Sequence, residues 1–229
     1  MLPLIVTLIN PLTGTSVLLD FEPQFAFLAR NITFSVVQID ENQRSMLSTA
    51  NDLALVAIAM SSSNGRERTQ QAFDFIESFD GDVSPKEQLC LSAARESQRS
   101  YAQLLGDDIS YCSGNLLYTK ASNDSNQYNE ALNAAHLLSK RTSGAVLEVL
   151  TDHMDSGSKE QVLSHRLQEH EKEWFDLQLK LNSLSDRIAS EIEVAREQLS
   201  QCLDQAILFF NYTIAYVKDE LEECFANDD

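Results

Sequence analysis

The stretch SKEQVLSHRLQEHEKEWFDLQLKLNSLSDRIASEIEVAREQLSQCLDQAILFFNYTIAYVKDELEECFANDD, residues 158–229, contains no glycine and no proline. Its apolar residues return every three or four positions: Leu163, Leu167, Trp174, Leu177, Leu181, Leu184, Ile188, Ile192, Ala195, Leu199, Leu203, Ala206, Phe210, Ile214, Val217 and Leu221. That spacing predicts one very long α-helix. The steps follow a heptad seam with a slip between Ile188 and Ile192, and such a seam needs helical partners along its whole length. Trp174 falls on the seam and is expected in the core.

The partner is named by the cysteines. Cys90, Cys112, Cys202 and Cys224 form two pairs, each with a spacing of 22 residues. On one helix that spacing is about 33 Å at ~1.5 Å per residue. A disulfide needs Cα atoms within about 7 Å, so Cys202 and Cys224 cannot join each other. In an antiparallel hairpin, facing residues have a constant position sum; Cys90 with Cys224 and Cys112 with Cys202 both give 314, centred on residue 157. Residue 157 is a glycine in the turn-like Asp155-Ser156-Gly157-Ser158. The expected bridges are therefore Cys90–Cys224 and Cys112–Cys202. A parallel pairing would need a long return connection that the sequence does not advertise. Zinc is disfavoured because its structural sites place ligands about two to four residues apart.

Working outward, the 229 residues are 43% hydrophobic with seven Gly and four Pro, which argues against disorder and against a turn-rich β fold. Net charge is −18. Nucleic acid and anionic membranes are repelled by such a surface, and the densest basic cluster, Lys140-Arg141, is only a pair. The acid-rich end at Asp219, Glu220, Glu222 and Glu223 opposes the helix macrodipole, so it should fray unless Cys224 ties it down.

Residues 1–16 carry no charged side chain, and the apolar run Leu2–Ile9 is followed by Pro11, Gly14 and Ser16. This is the pattern of a signal peptide cleaved before Val17, although a basic n-region is missing. The run is shorter than the ~20 apolar residues of a membrane span, and no later stretch qualifies. Sequons at Asn31, Asn123 and Asn211 fit a secreted glycoprotein, with Asn211 beside the seam residue Phe210.

Residues 17–41 are apolar on nearly all sides and are expected as an interior helix wrapped by others. A second helix over 41–60 should stop at Ser61-Ser62-Ser63-Asn64-Gly65. A third, Arg66–Phe79, carries Phe73, Ile76 and Phe79 on one face. Ser84, Pro85 and Glu87 then mark a helix start, with Ser84 as N-cap and Glu87 closing a capping box. The chain from Pro85 to about Met154 reads as helical, with weak points at Gly106, Gly114 and Gly144 and a polar interval at Ala121–Asn129 that would make the arm two helices. The expected fold is all-α: an elongated antiparallel bundle on a long disulfide-braced hairpin turning near Gly157. Residues 17–229 are read as a single domain, in which the helices of 17–80 pack on the hairpin of 85–226.

Signals of catalysis or metal binding are thin. His136, His153, His165 and His170 match no metal-ligand spacing and read as exposed helix residues. Phosphate loops, nucleophile elbows and dinucleotide fingerprints are lacking. The reading is non-enzymatic, with no catalytic residue, metal site or cofactor.

The cysteine frame resembles the TsetseEP-domain family of secreted insect proteins. The resemblance rests on the signal-like start, the helical reading, Cys90 and Cys112 around the segment Tyr101–Tyr111, and the closing Cys202-Leu203 and Glu223-Cys224, and covers roughly Pro85–Phe225. The Glu-Pro repeats of the name-giving member are absent, with only Glu22-Pro23 present. The resemblance implies secretion in insect gut or other secretory tissue and no established catalytic activity. The expected function is binding, of a protein or of an apolar ligand drawn to the aromatic segment Phe21–Phe34. The competing reading is an intracellular coiled-coil scaffold with free thiols that dimerises through its C-terminal helix.

Overall fold

The computed structural model describes residues 12–81, 83–118 and 122–226, without the side chains of 12–19, 115–118 and 122–123. Over the described residues the fold is all-α and disulfide-braced, with four helices: α1 (Leu12–Glu77), α2 (Pro85–Tyr118), α3 (Ser122–Thr151) and α4 (Ser156–Ala226). The apolar run of the expected signal peptide, 2–9, lies outside the described residues, and 12–16 open α1.

The chain divides into two compact units, Met1–Ser45 with Asn123–Ile188, and Met46–Ser122 with Ala189–Asp229. Unit 1 is three-helical, built from the first part of α1, from α3 and from the first part of α4. Its core holds Ile32, Leu138, Leu163 and Leu181. The Arg141–Glu173 and Glu148–Arg166 ion pairs set the α3–α4 register, and both have the position sum 314. Unit 2 is likewise three-helical, from the rest of α1, α2 and the rest of α4. The disulfides Cys90–Cys224 and Cys112–Cys202 lie within it, with Cα atoms 6.5 and 5.8 Å apart. Every seam residue of α4 is buried or half-buried, Trp174 included.

The helix ends follow local chemistry. The Ser84 hydroxyl accepts from the Glu87 N–H at 3.3 Å while the Glu87 carboxylate accepts from the Ser84 N–H, the expected reciprocal cap. The acid-rich end of α4 is held by Cys224 and by Phe225 against Phe79, with ring centroids 4.8 Å apart. The α3–α4 turn falls at residues 152–155, slightly upstream of the expected Gly157, which is in the first turn of α4 without a positive φ. Asp155 caps α4 by accepting from the Ser158 N–H at 3.0 Å and from its hydroxyl at 2.6 Å. Those bonds stabilise the carboxylate and lower its pKa.

The expected stop at Ser61–Gly65 is overturned, because α1 passes straight through it. The Ser62 hydroxyl donates to the Ile58 carbonyl and the Thr69 hydroxyl to the Gly65 carbonyl, so these polar side chains satisfy themselves inside the helix. Gly65 serves packing: a Cβ there would lie 2.6 Å from Leu105 Cδ2 of α2. The three helices expected over 17–79 are therefore one. Gly106, Gly114 and Gly144 likewise sit within unbroken helices. The polar interval 121–129 is helical from Ser122, with Tyr128 in the core, and the arm is two helices.

Residues 17–41 are not wrapped on all sides. Phe25, Leu28, Ala29, Ile32 and Val36 form a buried stripe, while Phe27 and Phe34 remain 71% and 68% exposed. Two partner helices cover only one side of a third, whatever the composition of the other.

Unit 1 also buries polar groups. Arg187 holds Asp124 through both carboxylate oxygens, and the Ser185 hydroxyl donates to Gln43 Oε1 at 2.7 Å. The Tyr128 hydroxyl is buried without a partner, and burial, aided by the Asp40 carboxylate, raises its pKa from 10.0 to about 12. Below pH 10 the phenol is neutral in both folded and unfolded chains. Between pH 10 and 12 the unfolded chain releases the proton while the folded one keeps it, so stability falls as pH rises through that window. A Tyr128→Phe variant is expected to lose this share of the alkaline sensitivity, as denaturation midpoints on either side of pH 10 will report. In unit 2, Gln98 is 0% exposed with neither amide atom partnered, a costly core position of the kind that fixes helix register.

Candidate functional site

Between α1 and α3 of unit 1 lies an open groove of about 800 Å³, within the ~300–1,000 Å³ span of ligand pockets. Short side chains make the space: Ala26 and Ala29 on α1 face Ser139 and Ser143 on α3. Phe25, Ala29 and Val146 are buried at its base, and Phe34 and Leu147 stand at its edges, with Leu147 67% exposed.

The groove hydroxyls are already engaged. Ser139 Oγ donates to the Ala29 carbonyl at 3.1 Å and lies 2.8 Å from Thr33 Oγ1, while Ser143 Oγ donates to the Ser139 carbonyl at 3.0 Å. Two charged side chains line the groove, Glu22 and Arg30. Among the described residues, no carboxylate lies within ion-pair distance of Arg30.

Beneath this base, Phe25 meets the His170 ring edge-on, with centroids 6.1 Å apart. His170 Nδ1 lies 3.1 Å from the Thr142 hydroxyl, and burial followed by the Arg141 charge lowers its pKa. The sequence reading placed all four histidines at the surface. It holds for His136, His153 and His165 and fails for His170, which is half-buried. The signal was available: position 170 fills the seam step between Leu167 and Trp174.

The sequon residues are dispersed. Asn31 is exposed on α1 one turn from Phe27, whereas Asn211 is half-buried with Oδ1 covered and unpartnered; the Asn123 side chain lies outside the described residues. A glycan at Asn211 would have to displace packed helix surface. The four cysteines form two bridges between α2 and α4 in unit 2, whereas the groove residues belong to α1 and α3 of unit 1.

Among the described residues, no three His, Cys, Asp or Glu side chains cluster to hold a metal ion, and no described helix is long and apolar enough to cross a membrane. A second exposed apolar feature lies on α4 of unit 2, where Phe209, Tyr212 and Tyr216 follow one another at helical steps. The groove itself was not legible in the sequence, since it arises from short side chains on two segments more than a hundred residues apart. No family model matches the chain, and neither a curated protein nor a solved structure matches it.

Proposed function

We propose that the chain is a secreted, non-enzymatic binding protein that carries an apolar ligand in the α1/α3 groove of unit 1. The observation that carries this reading is the groove: a volume suited to a small ligand, apolar at its base and edges, with hydroxyls already turned to the backbone. Two disulfides among four cysteines favour an oxidising compartment. The likeness of the cysteine frame to the TsetseEP-domain family points the same way.

A neutral solvatochromic dye is expected to bind the native protein and shift its emission to the blue, and lipid extracted from protein purified from its natural source should be enriched in one class. Leu147→Asp replaces an exposed apolar edge with a charge and should weaken dye binding about tenfold, since a Leu covered by the bound dye contributes up to roughly 1.5–3 kcal/mol. Absence of dye entry together with absence of co-purifying lipid would remove the reading. The alternative is association through the C-terminal helix, for which the exposed Phe209, Tyr212 and Tyr216 are the motivating feature. Sedimentation at rising concentration separates the two, because a carrier needs no dimer.

A further inference from the structure

We propose that the occupant of the groove is a single-chain amphiphile with a carboxylate head, held by Arg30 with its tail directed towards Leu150. This rests on the groove reading above and specifies its ligand. The first ground is charge. Carboxylates outnumber cations 35 to 17 in this chain, and Arg44, Arg95, Arg141, Arg166, Arg187 and Arg196 all sit in ion pairs. Arg30, like Arg66, Arg68 and Arg99, is without one among the described residues, and of these four it is the one that lines the apolar groove. The guanidinium fork matches a carboxylate through two parallel N–H···O bonds. Since Ser139 and Ser143 are committed to backbone carbonyls, recognition of a polar head falls to Arg30.

The second ground is direction. Glu22 lines the same groove eight residues before Arg30, about 12 Å along the helix axis at ~1.5 Å per residue. An anionic head is repelled from the Glu22 end and drawn to Arg30. The Thr33–Ser139 contact fixes the antiparallel levels of α1 and α3, so the apolar Val146, Leu147 and Leu150 lie on the Glu22 side of Arg30, where a tail would run. The groove thus has a cationic position and an apolar track in the order that such a ligand needs.

Dodecanoate and 1-dodecanol, titrated calorimetrically below their aggregation limits, share a tail and differ in the head. The intact protein is expected to bind dodecanoate about 10–100-fold more tightly than dodecanol, the range of a charged hydrogen bond. Arg30→Gln should bring dodecanoate down to the affinity of dodecanol and leave dodecanol unchanged, while Arg30→Lys, which keeps the charge and loses the fork, should fall between. Arg30 is exposed, so these variants keep the fold, as circular dichroism will check. Equal affinity of the two ligands for the intact protein, or a preference that survives Arg30→Gln, overturns the carboxylate assignment while the groove reading stands. Binding of neither ligand overturns both.

Discussion

Replacing Cys112 and Cys202 together by alanine is expected to lower the unfolding midpoint by about 8–16 °C, from a loss of about 4 kcal/mol. Replacing Cys90 and Cys224 should cost a similar amount. The bridges span 90 and 134 residues, and taken singly the chain-entropy relation gives about 4.6 and 5 kcal/mol. They are nested, however. With Cys112–Cys202 closed, Cys90–Cys224 confines only the two 22-residue segments between the bridges, so its own share drops to about 4 kcal/mol. Full reduction removes both constraints, about 8–9 kcal/mol, comparable to the whole stability of many domains. Reduced protein should therefore lose unit 2 structure first, with amide exchange accelerating in α2 before α3. A midpoint unmoved by the Cys112/Cys202 replacement would show that the bridge constrains little in the unfolded chain. A non-reducing peptide map that linked Cys90 to Cys202 would contradict the pairing itself.

Arg187→Ala is expected to destabilise the protein by about 2 kcal/mol, below the ~3–5 kcal/mol of a fully buried pair because the Arg187 side chain is itself exposed. Asp124→Ala should cost only about 1 kcal/mol. The asymmetry follows from exposure. Asp124 has a side-chain exposure of 8% and Arg187 of 54%. Loss of the arginine leaves a carboxylate in the core with no counter-charge, whereas loss of the aspartate leaves a guanidinium that water already reaches. The double variant should consequently be more stable than Arg187→Ala alone. Urea denaturation of the three variants measures this, and a larger cost for Asp124→Ala than for Arg187→Ala would refute the account.

Much of the architecture was legible because it depends on spacing along one segment. The seam of α4 carries its own period, the Ser84 cap is a four-residue pattern, and the equal spacing of two cysteine pairs encodes a register. What misled was punctuation. A run of serines ending in glycine ordinarily stops a helix, yet in α1 the Ser62 hydroxyl bonds to the Ile58 carbonyl of the preceding turn, the Gly65 carbonyl accepts from Thr69, and Leu105 occupies the space above Gly65. Such a run stops a helix only when no neighbour repays its weak propensity. The Asp124–Arg187 pair and the groove both escaped detection because each joins residues far apart in sequence with no covalent or periodic mark.

The sequence by itself determined that the chain is helical, which cysteines meet and that the apolar seam of α4 turns inward, since all three follow from period and from covalent geometry. Tertiary structure alone decided which side of the aromatic part of α1 is covered. Phe25 and Ile32 are buried while Phe27 and Phe34 are not. Hydrophobicity does not distinguish these residues; the placement of α3 and α4 around α1 does, and the short side chains at Ala26, Ala29, Ser139 and Ser143 then leave the space that makes a binding site.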